Sequence, residues 1–488
     1  MISEITGRFL KGIASMGVST MFGMVFGFVG ATVAARYIPE ESLGVYFLLL
    51  AVVYFLEVIG NAGLQLSSAK FIASAEDDQE RQSIVNTLLT IRLATIVIVV
   101  LLAIVARPWL LLLFPSDLLA DLFVYVPIVF AVQISDATLT FMMQGFHLYR
   151  KMATVQVIQG ALNLGLLLLF IIVFDFGVLG YIWATSISLF VSASIRFFLI
   201  PVPKRLGVDV DLLKRIIRFG LPLQVNDFLN FLIVRVDVLI LGALIGPRSI
   251  AYLEVAAKIP NYFARFAHAL QSVYFPHMAE MFSQGDKKQA EEMLNNTTRF
   301  TSFILLFGAL LFTLFQNEVM VFVFSDAYAV SAPVLAILML VVSIAVINEI
   351  LDTAFVSAGH SSYVIFVNVT VAIIGLTGNA LLIPAMGFTG AALARLLADV
   401  VGNPISIWVL RRVEIDVKVR EYLRSFAIFG LCYVLYLFFG ASGVLPRLLI
   451  LLVYLGLSLT FSVIRMSEIT ALFHIFQTRL RPPVLEEQ

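Results

Sequence analysis

Residues 88–106 read LLTIRLATIVIVVLLAIVA, an apolar run interrupted by a single charge, Arg92. Wound as a helix rising about 1.5 Å per residue, such a run covers the roughly 30 Å hydrocarbon core of a bilayer. Its polarity does not alternate, which excludes an outer-membrane β-strand. Backbone groups in lipid then find partners only within helices. The rest of the chain has the same character. Of 488 residues, 60% are hydrophobic and 13% charged, with a mean hydropathy of +0.99. Ordinary soluble domains are nearer 45–50% apolar and about 25% charged. The composition calls for an all-α polytopic membrane protein and leaves no sizeable soluble domain.

About fourteen windows reach spanning length between charge clusters and turn residues. In the first half they are 13–35, 43–66, 88–106, 118–141, 153–174 and 178–200. The second half gives 216–244, 250–275, 300–324, 333–356, 363–384 and 388–410, followed by 423–439 and 445–464. Arg8 and Lys11 precede the first run, which is too long for a signal-peptide core and lacks a small-residue cleavage site, so it reads as a retained span. Placing both termini in the cytoplasm puts most basic residues in inner loops, with Arg36, Arg107, Arg248 and Arg447 outside. The inner clusters are Arg150-Lys151, Lys204-Arg205 with Lys214-Arg215, Lys287-Lys288 and Arg411-Arg412. Positive-inside asymmetry therefore selects N-in, C-in, in the cytoplasmic membrane. Lys plus Arg equals Asp plus Glu, at 32 each, which removes the basic excess of a nucleic-acid binder. The lone Cys432 builds neither a disulfide nor a multi-cysteine metal site.

Two marks recur at an offset of about 210 residues: Pro39 with Pro247, and Gly177/Gly180 with Gly387/Gly390. Six helices separate the copies. Both therefore enter the membrane in the same sense, as two six-helix lobes in a parallel repeat with a cavity between them. The expected organisation is a lobe over 1–200, a cytoplasmic linker over 201–215 acting as a flexible joint, and a second lobe over 216–412. Two additional helices over 413–465 and a cytoplasmic tail over 466–488 complete it.

Local motifs point to one superfamily. The first half carries Ala35-Arg36, Pro39-Glu40-Glu41, Gly44-Val45-Tyr46 and Ala69-Lys70-Phe71-Ile72. In the second half come Phe219-Gly220-Leu221-Pro222, Arg235-Val236-Asp237, Gly242, Glu254 with Ala256-Ala257-Lys258, and Phe275-Pro276. This set, over roughly residues 8–410, resembles the multidrug/oligosaccharidyl-lipid/polysaccharide exporter superfamily and, within it, polysaccharide flippases of the Wzx type. Two departures stand: the glycine expected before the turn proline is missing, so Pro39 sits one residue early, and Ala251 replaces the usual glycine before the motif of the eighth span. The resemblance implies translocation of a polyprenyl-phosphate or pyrophosphate oligosaccharide by alternating access. It also implies membrane lipids and the glycosyltransferases and polymerase of the same pathway as partners, with neither cofactor nor nucleic acid.

Such a cargo needs cations inside a partly wet cavity. A charge in a span costs about 2.5–3.5 kcal/mol on insertion scales, so ionisable residues within spans are the candidates. Asn226, Asn230 and Asp237 fall within about 40° of one another on a helical wheel and line either the cavity or a hydrogen-bonded seam between helices. Arg235 matches the superfamily's substrate-facing cation, with an ion pair to a neighbouring span as the alternative. Glu254/Lys258 and Arg395/Asp399 have the four-residue spacing of self-neutralising pairs, and Lys258 and Arg395 are also candidates for the cavity. Glu349 and Asp352 are two acids without a local cation, suited to a proton or a coupling ion. Arg92, Glu57 and Asp136 read as snorkelling or interfacial groups, and Gly23 and Gly27 as close helix packing. No phosphate loop, zinc-protease or nucleophile-elbow motif is present, so the chain reads as a transporter and not as an enzyme. The alternative within the same superfamily is a cation-coupled multidrug antiporter. Against it, no ionisable residue lies between Lys11 and Arg36 in the first span.

Overall fold

The computed structural model describes residues 2–61, 63–439 and 443–464, without the side chains of 2–14, 223 and 266–273. The tail expected over 466–488 lies outside the described residues, as do the side chains of Arg8, Lys11 and His268. The described secondary structure is helical, without strands. In chain order the elements are α1 Ile2–Tyr37, α2 Glu40–Asn61, α3 Leu64–Ser74, α4 Asp78–Leu113, α5 Asp117–Leu122 and α6 Val126–Gly145. Next come α7 Tyr149–Leu167, continued by a wide turn Leu168–Val173, then α8 Gly177–Leu199, α9 Val210–Val234, α10 Val236–Leu244, α11 Pro247–Ala256 and α12 Lys258–Ser283. The remainder is α13 Lys287–Leu314, α14 Gln316–Val319, α15 Ala332–Ser357, α16 Ser362–Arg412, α17 Val419–Phe439 and α18 Val444–Thr460. Among the described residues ten helices are long and apolar enough to cross a membrane, and α18 is a shorter apolar helix. The protein is a multi-pass membrane protein.

The helices start where a side chain can take up orphan N–H groups. Asp77 accepts from Glu80 N at 2.7 Å at the head of α4, and Asp209 from Asp211 N and Leu212 N, both at 3.0 Å, at the head of α9. The run that opened the sequence reading lies inside α4. Its outer face, including Leu93, Val97 and Leu101, is exposed. In a bilayer that face meets lipid, which explains why a helix so apolar needs no protein cover.

Contacts gather the chain into two compact units. The first comprises residues 1–258, 320–334 and 368–397; the second comprises 259–319, 335–367 and 398–488. Within the first, α1 packs on α7, α2 on α11 and α6 on α8. Gly44 of α2 lies so close to the backbone of Pro247 that a Cβ would run into its carbonyl. The helices that follow the two repeated prolines therefore meet at a glycine. In the second unit α13, α17 and α18 pack together, and Tyr454 of α18 donates to the Phe303 carbonyl of α13 at 3.1 Å.

Three features depart from uniform spanning helices. The windows expected at 363–384 and 388–410 are two helices within α16 that meet at a sharp kink at Gly387, whose φ of 59° is left-handed. Its repeat partner Gly177 has a φ of 52°, so this mark is a backbone turn that only glycine makes cheaply. The window 216–244 is not continuous: it is broken at Arg235, with φ −130° and ψ −14°. The window 250–275 is broken at Ala257 between α11 and α12. The linker expected to be a flexible joint is stitched along α4. Arg205 N reaches Asn86 Oδ1 at 2.8 Å, Gly207 N reaches Thr90 Oγ1 at 3.0 Å and Asp209 N reaches Thr87 Oγ1 at 3.1 Å.

Candidate functional site

The break at Arg235 exposes two sets of backbone ends, the last carbonyls of α9 and the first N–H groups of α10. Charged side chains converge on both. Asp237, in the first turn of α10, accepts from Val238 N at 2.8 Å, where the helix dipole favours an anion. Arg395, from α16, donates its Nε to Asp237 Oδ2 at 2.5 Å and turns its Nη2 toward the Val234 carbonyl at 3.5 Å. Arg235 itself donates to Glu254 Oε1 of α11 at 3.0 Å. Lys258 lies 4.7 Å from the ring centroid of Phe47, a cation–π distance. Arg235, Lys258 and Arg395 are all within electrostatic reach of the Glu254 carboxylate.

The acids are shut away and the basic groups less so. Side-chain exposure is 2% for Asp237 and 6% for Glu254, against 18% for Arg395 and 40% for Arg235. Arg235 therefore presents the most exposed charge of the cluster's two ion pairs. One turn beyond, α10 forms one wall of an apolar groove of about 600 Å³, shared with α2 and α4 and lined by Phe55, Leu56, Leu102, Leu239 and Ile240. A half-exposed guanidinium thus stands at the head of a greasy trough.

Arg235, Asp237, Lys258 and Arg395 come together; Lys258 has the electrostatic reach to Glu254 that its spacing suggested, and two partnerships form across helices. Glu254 takes Arg235, and Arg395 reaches Asp237 across 158 residues. The break also rotates Asp237 away from Asn226 and Asn230, which are exposed on α9, so the expected three-residue stripe is not continuous. The inward polar groups of α9 are two that the sequence reading missed, Gln224 and Asp227. Asn61 donates to Asp227 Oδ2 at 3.0 Å, and Gln224 accepts from Gly63 N at 2.9 Å and donates to the Val58 carbonyl. Their spacing with buried Phe231, 224-227-231, was the available signal.

The three groups read as snorkelling do not snorkel. Arg92 is 3% exposed and donates to the Gly60 carbonyl at 2.8 Å, Glu57 accepts from Gln133 at 3.2 Å, and Asp136 pairs with Arg196. Each sits too far inside its helix bundle to reach water, so it takes a partner instead. In the second unit, Asp352 accepts from Ser406 at 2.6 Å. Beside it Asn403 donates to Asn348 at 2.9 Å, Asn348 donates to the Asp399 carbonyl at 3.0 Å, and Tyr422 donates to Asn403 at 3.1 Å. Glu349 lies on the same helix, one turn before Asp352. No group of three metal-ligating side chains occurs among the described residues.

Two motif stretches also meet in the first unit: Lys70 sits 3.6 Å over the ring of Phe219, and Phe71 packs edge-on to it. Residues 33–333, which contain both stretches and the Arg235 cluster apart from Arg395, match the family model described as polysaccharide biosynthesis protein. The chain belongs to this family. Among curated proteins it is 24% identical over 170 residues to the probable low-salt glycan biosynthesis flippase Agl15 of Haloferax volcanii, covering 34% of this chain and 35% of that protein. It is 22% identical over 206 residues to the uncharacterized membrane protein MJ1068 of Methanocaldococcus jannaschii, covering 41% of this chain and 40% of that one. The chain thus spans well under half the length of these relatives. Solved structures extend the likeness. A lipid II flippase, MurJ, in an inward closed conformation superposes with a TM-score of 0.75 at 16% identity over 91% of this chain and 97% of its own. An inward-facing multidrug resistance MATE family transporter of the MOP superfamily gives a TM-score of 0.67 at 16% identity over 83% and 98%. At such identity the likeness is one of fold. This member of the polysaccharide biosynthesis protein family therefore has the two-lobed fold that the flippase and MATE structures share, as its motifs implied.

Proposed function

We propose that this family member is a flippase carrying a lipid-linked oligosaccharide, on a polyprenyl phosphate or pyrophosphate, across the cytoplasmic membrane for surface polysaccharide or glycan biosynthesis. The observation that carries the proposal is the Arg235 cluster: a half-exposed guanidinium at a helix break, beside an apolar groove. A guanidinium forks onto phosphate oxygens, and a prenyl chain suits the trough along Leu239 and Ile240. Broken helices that present charges and free backbone ends at mid-membrane are the usual substrate sites of transporters. The lobes over 1–200 and 216–412 rock alternately toward each leaflet, with both termini cytoplasmic. Glycosyltransferases supply the cargo inside, and a polymerase or transferase consumes it outside.

The test is accumulation. Removing the protein from its own cell should build up the lipid-linked glycan in the inner leaflet, and wild type, but not Arg235→Ala, should restore surface glycan. Unchanged glycan display in the absence of the protein refutes the proposal.

The alternative, a cation-coupled multidrug antiporter, draws on the MATE-like fold and on Glu349 and Asp352 in the second unit. An anionic cargo fits the exposed guanidinium of Arg235 better than a cationic drug, which that charge would repel. Glu349 and Asp352 then serve as the coupling site of a flippase.

A further inference from the structure

Away from the Arg235 cluster, the first unit opens a cavity of about 400 Å³ between α4, α6, the end of α8 and the linker 200–209. Its lining includes Arg92, Lys204 and Arg205, together with Ser135 and Thr138, and no carboxylate. The nearest acid on α6, Asp136, is occupied by Arg196. The buried Arg92 donates its Nη1 to the Gly60 carbonyl and turns its Nη2 toward Asn61 Oδ1 at 3.5 Å, with Glu57 of α2, outside the cavity lining, in electrostatic reach, while its Nε–H is buried with no acceptor. Lys204 donates to the Ile200 carbonyl at 2.7 Å and lies 5.2 Å from the Phe197 ring centroid; burial lowers its affinity for the proton, so an anion here would relieve it. The Arg205 backbone is fixed by Asn86, which sets its exposed side chain at the rim.

The opposite wall is apolar. Leu89, Leu93 and Ile96 line it, and exposed Val97 and Leu101 continue the same row up the lipid-facing side of α4. A free inorganic anion would satisfy the basic end and gain nothing from this wall. A neutral lipid would fill the wall and leave the cations uncompensated.

We propose that this cavity is a binding site for an anionic membrane phospholipid, its phosphate held by Arg92, Lys204 and Arg205 and one acyl chain laid along Leu93, Val97 and Leu101 of α4. Basic cavities between spans near a membrane face are suited to acidic headgroups. The site shares its wall with the segment stitched to α4 through Asn86, Thr87 and Thr90, so a bound lipid clamps the connection between the expected lobes. The proposal is independent of the cargo: it needs only that the chain sits in a bilayer.

The full-length protein, purified and delipidated, is titrated with phosphatidylglycerol, phosphatidylcholine, polyprenyl phosphate or inorganic phosphate, and binding is read by native mass spectrometry and thermal melting. Phosphatidylglycerol should bind and raise the melting temperature, with phosphatidylcholine and inorganic phosphate without effect. The double variant Lys204→Gln/Arg205→Gln should bind it about thirtyfold more weakly. Leu93→Trp, which narrows the apolar wall and leaves every charge in place, should weaken it as well and serves if the double variant does not fold. Equal binding of phosphatidylcholine, an equal response to inorganic phosphate, preference for polyprenyl phosphate, or undiminished phosphatidylglycerol binding by the variants would each overturn the assignment.

Discussion

Two ionic centres lie in the first unit, and they differ in what their arginines can still do. At the pair between α6 and α8, Arg196 and Asp136 are only 6% and 12% exposed, and Arg196 also donates to Ser192. Both charges are consumed inside the bundle. At the Arg235 cluster the carboxylates are just as buried, but Arg235 is 40% exposed. A fully buried pair holds helices together; a cluster whose arginine stays half-exposed at a helix break keeps a charge accessible to something that arrives later. Ionisable residues within spans are expensive in either case, so their presence alone does not separate the two roles. Exposure does.

Variants should split along this line. The largest effect is expected at Arg196→Ala, which strands Asp136 in a dry site and costs about 3–5 kcal/mol. The measurement is a thermal melt of the purified protein, and replacing both partners with apolar residues should recover most of the loss. Asp237→Asn comes next. It removes the charge opposite Arg395 but keeps the amide oxygen able to accept from Val238 N, so its melting should fall between those of Arg196→Ala and wild type. Smaller still in stability is Arg235→Ala, at about 1 kcal/mol or less, because Lys258 and Arg395 remain within electrostatic reach of Glu254 and Arg235 is itself half-exposed, yet it should abolish export of the lipid-linked glycan. An Arg235→Ala protein that melts as early as Arg196→Ala would erase the contrast between the centres. Least disruptive is Asp352→Asn in the second unit, where Ser406 can still donate to the remaining oxygen. Melting should stay at wild type while any dependence of transport on an ion gradient is lost. Retained dependence would remove Asp352 from the coupling role.

How much of this was legible beforehand depends on the distance over which each interaction acts. The span at 88–106 was readable because apolar length is a local property, and the bend at Gly387 because the window pair on either side of it is separated by Pro384 and Gly387 themselves. The breaks at Arg235 and Ala257 were not: neither has proline or glycine at the break, and Pro222 and Pro276 lie inside α9 and α12 without ending them. Pro247, at the first position of α11, does mark a start. Partnerships were the least legible. The four-residue rule sees one helix at a time, so it offered Lys258 to Glu254 and Asp399 to Arg395 but could not add Arg235 to Glu254 or Asp237 to Arg395, which meet only when separate helices pack. Arg196 was missed for the same reason, although it lies within the sixth apolar window. The resemblance to the exporters was legible from short motifs such as Ala69-Lys70-Phe71-Ile72 and Phe219-Gly220-Leu221-Pro222, which the structure brings into contact through Lys70 and Phe219.

Reconstitution in liposomes tests the central claim most directly. A polyprenyl-pyrophosphate oligosaccharide is placed in one leaflet, and its appearance in the other is followed for wild type, Arg235→Ala and Arg235→Lys. Wild type should move the lipid, Arg235→Ala should not, and Arg235→Lys, a point charge without the fork, should fall between them, with all three melting alike. Movement at the wild-type rate by Arg235→Ala, or a wild type that carries a cationic drug and leaves the lipid where it was, would contradict the account.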